Sequence, residues 1–409
     1  MSSDLKVLLS AYACEPHKGS EPEVGLRTAL AVAREHEVWV ITRTNNLDPL
    51  RRFLEDHPLA TRIHLVGIDL SHRALRAKRR LGILGMHWYY DAWQRQTGRV
   101  ARDLDRQVGF DLVHHVTFAS HWTRAGVAQV DKPLIWGPVG GGVDPVWSLL
   151  PALGARGVVQ DAIRSSVRVL ARGLSRKARQ KARVIFAQNR ETARRLTGIS
   201  GRVQILPNAT AVSMEMPSGV RVRSRDVVFA GNLIPLKGAR LAIQAFRSLR
   251  RDDAKLRIFG DGPERSRLEA IKSALGLDSQ VYIEGRVHRD ELIRVIAGSA
   301  VLVHPAIHDE AGLVVAEALS VGTPVVCLDR GGPAEIAARW PTALSRRVSP
   351  SSSTSRTALR IASAIEVFLE SPPPIPQRPI SPLTDFGSEI LSAYEEAVSV
   401  GRTGGASRL

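Results

Sequence analysis

The chain has 409 residues, 44% of them hydrophobic and 24% charged, which is long enough for two domains that each bury a core. Its 57 Lys and Arg against 40 Asp and Glu give a net charge of +17, which indicates an anionic partner, either a membrane surface or nucleic acid, unless the excess reflects only an arginine-rich coding bias. No apolar run reaches the roughly 18 residues of a membrane-spanning helix. The N-terminus lacks the pattern of a secretory signal, and the two distant cysteines, Cys14 and Cys327, fit no metal spacing. We therefore expect a cytoplasmic protein.

Strand-like and helix-like segments alternate along the first half of the chain. Six apolar runs are predicted as strands: Val7–Ala13, Glu37–Thr42, Ile63–Ile68, Asp111–Phe118, Leu134–Val139 and Val184–Asn189. The segments between them have helical patterns. This alternation is typical of a doubly wound parallel sheet.

A loop of small residues follows the first predicted strand and contains Gly19 and Ser20. Because it lies at the carboxyl end of a parallel sheet, where ligands bind in such folds, Gly19 can allow a phosphate close to the backbone. The alternative is an ordinary strand-to-helix turn that Ser20 caps.

Two segments concentrate positive charge. Arg73–Arg80 carries five basic residues and no acid, and an aromatic run from Trp88 follows it. Further on, a four-residue spacing of arginines predicts a basic helical stripe over Arg164–Arg176. Both segments suit docking on an anionic membrane surface, although both helices can instead bury their apolar faces and expose the arginines. Nucleic acid is the less favoured partner, because no recognised nucleic-acid module is present.

Two strand ends in the first half carry candidate polar groups. His114 and His115 are neighbours on one strand and point to opposite faces, so at most one of them faces a site. A structural role is the commoner explanation for either histidine. Trp136–Gly142 then forms a glycine-rich loop, either a long turn or part of a site.

A second alternating set begins near Val227. Five more strands are predicted: Asp226–Asn232, Lys255–Pro263, Val281–Val287, Ala300–Ala306 and Pro324–Arg330. Two successive sets without self-similar repeats predict two Rossmann-like domains facing across a cleft. We place the domains at 1–212 and 213–375, followed by a proline-rich stretch, a helix near 384–399 and a flexible tail at 400–409.

Two helix starts in the second half suit a nucleotide. Lys237 follows the first strand of this half and would supply a point charge to a diphosphate, although a lone lysine there is usually solvent-exposed. Asp309 and Glu310 precede Gly312 and a short helix that carries Glu317. Such a helix N-terminus seats phosphate, whereas the carboxylates need hydroxyl partners, as on ribose or a sugar. The alternative is an exposed helix without a ligand.

These segments resemble the donor-binding motifs of family 4 retaining glycosyltransferases, which have the GT-B architecture. The donor motif of that family is an acidic residue followed, after seven further residues, by a glutamate, with a glycine-rich turn between the two. Asp309 and Glu317 occupy the two acidic positions of this motif. Glu310 lies one residue short of that spacing. Asn232 stands where the family has an arginine in the motif that ends at Lys237.

The resemblance implies an α/β protein that transfers a sugar, with retention, from a nucleoside-diphosphate sugar to an acceptor hydroxyl. Cell-surface polysaccharide or glycolipid assembly and a peripheral position at the inner membrane face would suit it. It implies that Asp309, with Glu310, holds the sugar, that Glu317 holds the ribose, and that Lys237 neutralises the diphosphate. Further roles fall to residues at the diphosphate, the base and the donor sugar: Gly19, Ser20, Asn232, Gly312, Leu313, Val314, Arg286 and His115.

The resemblance also implies that the last helix packs back on the first domain. No bound cofactor or metal is expected, because no cluster has metal-ligand spacing, and no G-x-G-x-x-G motif follows the first strand. Two alternatives remain: another nucleotide-sugar enzyme, such as an epimerase, and a basic binding protein with a degraded site.

Overall fold

The structure is a computed structural model that describes residues 4–16, 18, 20–144, 146–208, 216–217, 222–380 and 386–403. The chain divides into two compact units. The described residues of 1–142, 167–211 and 384–409 form unit 1, and those of 143–166 and 212–383 form unit 2. Residues 143–166, which the sequence analysis placed in the first domain, thus belong to unit 2, because Leu149, Ala152 and Leu153 pack into its core.

Parallel strands and intervening helices make up both units. The strands are β1 (Lys6–Ser10), β2 (Glu37–Thr42), β3 (Ile63–Gly67), β4 (Leu112–His115), β5 (Leu134–Val139), β6 (Ala182–Ala187), β7 (Arg202–Ile205), β8 (Asp226–Ala230), β9 (Lys255–Phe259), β10 (Val281–Gly285), β11 (Val301–His304), β12 (Val325–Leu328) and β13 (Ser345–Val348). The helices are α1 (Ser20–Ala33), α2 (Leu47–Leu54), α3 (His72–Arg80), α4 (Gly82–Val108), α5 (Leu150–Leu170), α6 (Arg176–Lys181), α7 (Arg190–Arg195), α8 (Ala239–Leu249), α9 (Arg265–Ala274), α10 (Arg289–Ala297), α11 (Leu313–Ser320), α12 (Gly331–Ala337), α13 (Thr354–Glu370) and α14 (Phe386–Thr403).

Unit 1 is built on a seven-stranded parallel sheet of order β3-β2-β1-β4-β5-β6-β7. The chain reverses its direction of travel across the sheet between β1 and β4. Helix α14 packs on α1, and its Ile390 and Tyr394 are buried in the core that β1 and α1 share. Because β1 and β4 are neighbouring parallel strands, the loops that follow them lie side by side at the carboxyl edge of the sheet, where such folds bind ligands.

Unit 2 is built on a six-stranded parallel sheet of order β10-β9-β8-β11-β12-β13. Its reversal falls between β8 and β11. The loop after β8 leads to Lys237, and the loop after β11 leads to Asp309. The topology therefore brings these two loops together at the carboxyl edge of the sheet.

The prediction of two doubly wound parallel sheets is confirmed, and each of the eleven predicted strands is present. β7 and β13 were not predicted. Both are edge strands. All four residues of β7 are at least partly exposed, and β13 carries two neighbouring arginines, Arg346 and Arg347, that are not buried. Neither strand therefore has the continuous apolar run by which a buried parallel strand is recognised.

Among the described residues, no helix is both long enough and apolar enough to cross a bilayer. Helix α14 extends the predicted helix to Thr403, and 404–409 of the predicted tail lie outside the described residues.

Candidate functional site

A cluster of charged groups lies where the loops after β8 and β11 meet. The Lys237 ammonium is 2.7 Å from Oδ2 of the buried Asp309. His304, at the end of β11, places Nε2 2.9 Å from the same oxygen. Asp309 Oδ1 accepts hydrogen bonds from the backbone N–H groups of Ala311 (3.3 Å) and Gly312 (3.2 Å). Asp309 thus has two donors on each carboxylate oxygen.

This environment keeps Asp309 ionised. Burial by itself raises the pKa of a carboxyl group, but the Lys237 ammonium and the His304 ring lower it by more, so the pKa of Asp309 lies well below its ordinary value. The lysine is a quarter exposed (25%). Its ammonium has three donors, so it can keep its bond to Asp309 and donate to a further anion.

Gly312 shapes the turn that leads into α11. Its φ is 64°, and a Cβ at this position would lie 2.8 Å from Cγ of Pro333. Only glycine combines this left-handed conformation with so close an approach. The turn ends at Leu313, and the N–H groups of Leu313 and Val314 are the first of α11, so they have no acceptor within the helix. The Gly312 N–H, by contrast, is already bonded to Asp309.

Glu317 lies one turn into α11 and pairs with Arg289, the first residue of α10. Nε and Nη2 of Arg289 are 3.1 and 2.9 Å from the same Glu317 oxygen, Oε1. The pair spans 28 residues of sequence. No local pattern in the sequence indicates this pair, and no role was predicted for Arg289 or His304.

Glu310 points to a different set of partners from those of Asp309. Its Oε1 accepts from the backbone N–H of Val143 at 3.2 Å and lies 3.3 Å from Nε2 of His308. Arg330 bonds the carbonyl of the next residue, Asp144. Glu310 and Arg330 therefore anchor the 143–144 segment within unit 2.

The remaining candidates of unit 2 lie nearby in sequence but outside this network. Asn232 is exposed two residues after β8, and Arg286 is exposed directly after β10. Neither side chain forms a hydrogen bond or ion pair with another described residue in the structure.

The predicted candidates of unit 1 are Gly19, Ser20 and His115. Gly19 lies outside the described residues, and Ser20 is described only as the first residue of α1. His115 is fully buried, with Nε2 3.2 Å from the Tyr90 hydroxyl and Nδ1 3.3 Å from Ser10 Oγ. His114 lies 2.7 Å from the Tyr394 hydroxyl and 2.8 Å from the Gly137 carbonyl.

Burial lowers the pKa of His114 to about 4 and that of His115 to about 3, and the neighbouring His114 contributes to the second shift. Both rings therefore stay neutral at ordinary pH. With both nitrogens of each ring engaged, this arrangement favours a structural role for the two histidines.

Of the two basic segments, Arg73–Arg80 forms a helix, whereas Arg164–Arg176 does not form the single helix that was predicted. The single helical stripe over Arg164–Arg176 is wrong: α5 ends at Leu170, a short 3-10 turn runs over Arg172–Ser175, and Arg176 begins α6. Gly173 lies in this turn, and glycine is a poor helix former. Helix α5 instead exposes apolar residues, with Val159 and Ile163 both on its solvent side.

The other basic segment forms α3, which has no buried residue. Leu81, between α3 and α4, is 60% exposed, and the start of α4 exposes Leu84 (57%) and Trp88 (51%). Tyr89 and Trp93 of α4 are instead buried in the core. We call the exposed residues of 73–88 the α3–α4 surface. Among the described parts of the chain, no group of three or more His, Cys, Asp or Glu side chains could hold a metal ion.

Comparisons with known proteins bear on these observations. Residues 216–367 match the family model of glycosyl transferases group 1. An uncharacterized glycosyltransferase, MJ1607 of Methanocaldococcus jannaschii, is 36% identical over 119 residues, which is 29% of this chain and 30% of that protein. The 2-deoxystreptamine glucosyltransferase of Streptomyces kanamyceticus is 36% identical over 107 residues, 25% of this chain and 27% of that protein. The matches thus span less than a third of these curated relatives.

Solved structures match over almost the whole chain. One is WaaG, a glycosyltransferase involved in lipopolysaccharide biosynthesis, with a TM-score of 0.54 and 18% identity over 97% of this chain and 95% of that one. At such low identity the likeness establishes the fold alone, which is the α/β GT-B fold. Residues 216–367 are similar to the group 1 glycosyl transferases, and the rest of the chain lies outside that match.

Proposed function

We propose that this chain transfers a sugar from a nucleoside-diphosphate sugar to an acceptor hydroxyl with retention of configuration, as a family 4 enzyme. The observation that carries the proposal is the arrangement at the start of α11. The ammonium of Lys237, the turn at Gly312 and the carboxylate of Glu317 lie on elements that one sheet edge positions. Lys237 and the Gly312 turn would face the diphosphate of such a donor, and Glu317 would face its ribose.

The diphosphate would bind at the N-terminus of α11. The Leu313 and Val314 N–H groups would donate to it, and the helix dipole favours the same negative charge. Lys237, held by Asp309 at 2.7 Å, would add a cation. Because these groups are fixed before the reaction, they would stabilise charge that develops on the leaving diphosphate.

Asp309 would act mainly by positioning other groups. Its four hydrogen bonds fix Lys237, His304 and the turn that leads to Gly312. A sugar hydroxyl that bonds Asp309 would have to share an oxygen with these donors. We therefore assign Asp309 to the placement of Lys237 and the turn, rather than to the direct sugar contact that the family resemblance implies.

Glu317 would bind the ribose hydroxyls. Arg289 occupies Oε1 of Glu317, which leaves Oε2 as the acceptor for a ribose hydroxyl. A solved structure of similar fold supports this donor class: Anabaena Alr3699/HepE, in complex with UDP and glucose, has a TM-score of 0.54 and 16% identity over 98% of this chain.

The acceptor would be presented at an anionic membrane surface, as in polysaccharide or glycolipid assembly at the inner membrane face. The α3–α4 surface supports this partner because Arg79 and Arg80 lie next to exposed Leu81 and Leu84. Cations beside apolar and aromatic side chains bind anionic lipid headgroups while the apolar groups enter the interface. The net charge of +17 is complementary to the same surface.

Release of nucleoside diphosphate from UDP-, GDP- and ADP-sugars tests the proposal. We expect release with one donor class, and we expect it to depend on an added membrane or glycan acceptor. Conversion of the sugar without an acceptor would instead indicate an epimerase. Binding of a nucleotide sugar without any turnover would indicate a binding protein with a degraded site.

A further inference from the structure

Two cations surround one tyrosine at the carboxyl edge of the unit 1 sheet. Tyr12 follows β1, and Arg43 directly follows the neighbouring β2. The Arg43 guanidinium lies 4.9 Å from the centre of the buried Tyr12 ring. Lys78 of α3 donates to the Tyr12 hydroxyl at 3.1 Å. The two cations are therefore gathered at one end of the sheet, beside the point where its strand order reverses.

Neither cation has an anionic partner among the described residues. The Nε atom of Arg43 is buried and has no hydrogen-bond partner. Within the described parts of the chain, the Lys78 ammonium interacts with the Tyr12 hydroxyl and with the face of Tyr89, whose ring centre is 4.8 Å away. The nearby carboxylate of Asp69 is bonded to the Tyr89 hydroxyl at 3.0 Å.

A half-buried guanidinium with an unsatisfied buried donor calls for an acceptor. Cation–π contact offsets part of the cost of removing a cation from water, but it does not satisfy an N–H group. Two such cations at a ligand-binding edge fit a group with several anionic oxygens, and a phosphoryl group has this geometry.

Phe118 supplies an apolar surface beside these cations. Its ring centre is 5.2 Å from that of Tyr12, and 39% of the residue is exposed. Its backbone has a φ of 55°, which is unusual for a residue other than glycine. The Glu21 carboxylate holds this conformation by accepting from the Phe118 N–H at 3.0 Å. A ring held in this way offers a flat face to a sugar.

We infer that Arg43 and Lys78 bind a phosphoryl group of the acceptor, with Phe118 against the adjoining sugar. The inference rests on the proposed function, since it names the chemical class of the substrate that receives the glycosyl group. The phosphoryl group belongs either to a soluble phosphorylated glycan or to a lipid-linked one, and the two cations bind both in the same way.

Calorimetric titration with inorganic pyrophosphate tests this site. The donor site would also bind pyrophosphate, so the titration uses the Lys237→Met protein. We expect binding in this background, and a loss of at least about tenfold in affinity when Arg43→Gln or Lys78→Met is added, because each removes a charge-assisted bond. Lys78→Arg should retain binding. Arg79→Gln, next to Lys78 on the same exposed helix, is the matched control and should leave affinity unchanged.

Circular dichroism and thermal unfolding verify that each variant is folded. If pyrophosphate does not bind the Lys237→Met protein, or if folded Arg43→Gln and Lys78→Met proteins both bind it as tightly as their parent, the inference is overturned. If the protein pellets with phosphatidic-acid vesicles, and if pyrophosphate reverses this pelleting, the phosphoryl group belongs to a lipid. Binding of pyrophosphate without such pelleting would assign it to a soluble acceptor.

A separate measurement keeps the two proposals apart. Donor binding is titrated with nucleotide sugars in proteins that retain Lys237. We expect Arg43→Gln and Lys78→Met to leave donor binding unchanged, because both residues lie in unit 1. The donor site is formed in unit 2 by Lys237, Asp309, the Gly312 turn and Glu317, which we call the α11 site. Absence of donor binding in the wild type would refute the proposed function and leave the phosphoryl site to be judged by pyrophosphate alone.

Discussion

Replacement of Asp309 by asparagine tests the carboxylate that accepts four hydrogen bonds in the α11 site. Removal of one partner of a buried ion pair costs about 3–5 kcal/mol. The Lys237 ammonium is 25% exposed and can regain water, and asparagine keeps one oxygen acceptor. We therefore expect a loss of about 2–3 kcal/mol in the free energy of unfolding at pH 7.

The pH dependence of this loss follows from the lowered pKa of Asp309. A carboxyl group whose pKa is lower in the folded state stabilises the fold above its unfolded pKa, near 3.9, and that stability is lost as pH falls. Urea denaturation should therefore show a difference between wild type and Asp309→Asn that is full at pH 7 and narrows below about pH 4.

Asp253→Asn is the matched control. Asp253 lies on the surface, where a hydrogen bond from Arg251 lowers its pKa to about 2, and its replacement should change stability little. If Asp309→Asn is as stable as wild type at pH 7, or if the difference between them does not narrow in acid, then the four bonds to Asp309 do not hold the site together.

Three further predictions follow from other parts of the molecule. Lys237→Met should weaken nucleoside-diphosphate binding about tenfold to a hundredfold, because it removes a charge-assisted bond, and calorimetry measures this loss. Stability should fall by about 2 kcal/mol or more between pH 7.5 and 5 in urea denaturation, because buried His114 and His115 stay neutral while the unfolded chain takes up protons below about pH 6.5. Trp88→Ser combined with Arg79→Gln should reduce pelleting with anionic vesicles, most clearly at low salt.

Each of these predictions has a result that would contradict it. Lys255→Met changes an exposed lysine of the same unit and should bind the nucleotide as the wild type does; an equal loss in both variants would remove Lys237 from the site. Unchanged stability at pH 5 would mean that the two histidines titrate normally in the fold. For the vesicles, Trp147→Ser changes a tryptophan that is also exposed, and an equal effect of both substitutions would argue against the α3–α4 surface.

The strands of this fold could be predicted because most of them are buried on both faces. Runs such as Val325–Leu328 are apolar at every position, and such runs are characteristic of strands within a parallel sheet. β7 and β13 lie at sheet edges, where one side has no neighbouring strand. The requirement for apolar residues is weaker there, so the sequence does not mark these strands.

The sequence was enough to predict which segments form the candidate site, but not which of their residues contact one another. Lys237 and the acidic segment near Asp309 follow from local motifs, because strand ends and helix starts have short-range signals. Their contact depends on the β8–β11 pairing, and the bond between Arg289 and Glu317 depends on how α10 packs beside α11. Long-range pairs of this kind are set by tertiary packing, which no local spacing records.

The arginine stripe is a feature that was predicted and that the structure does not contain. A four-residue spacing over Arg164–Arg176 satisfies the helical period, but Gly173 and the 3-10 turn end that helix. Periodicity in one residue type therefore predicts a helix face only where the intervening residues also favour a helix.

Calorimetric titration of the wild type and Glu317→Gln with UDP, GDP and ADP tests the central claim most directly. We predict that one of these nucleotides binds the wild type and binds Glu317→Gln about tenfold or more weakly, because the charged acceptor of the ribose hydroxyls is lost. Glu284→Gln, which changes a half-exposed glutamate paired with Arg257, should bind as the wild type does. Wild-type protein that binds none of the three, or Glu317→Gln that binds as tightly as wild type, would contradict the assignment of a nucleotide site to α11.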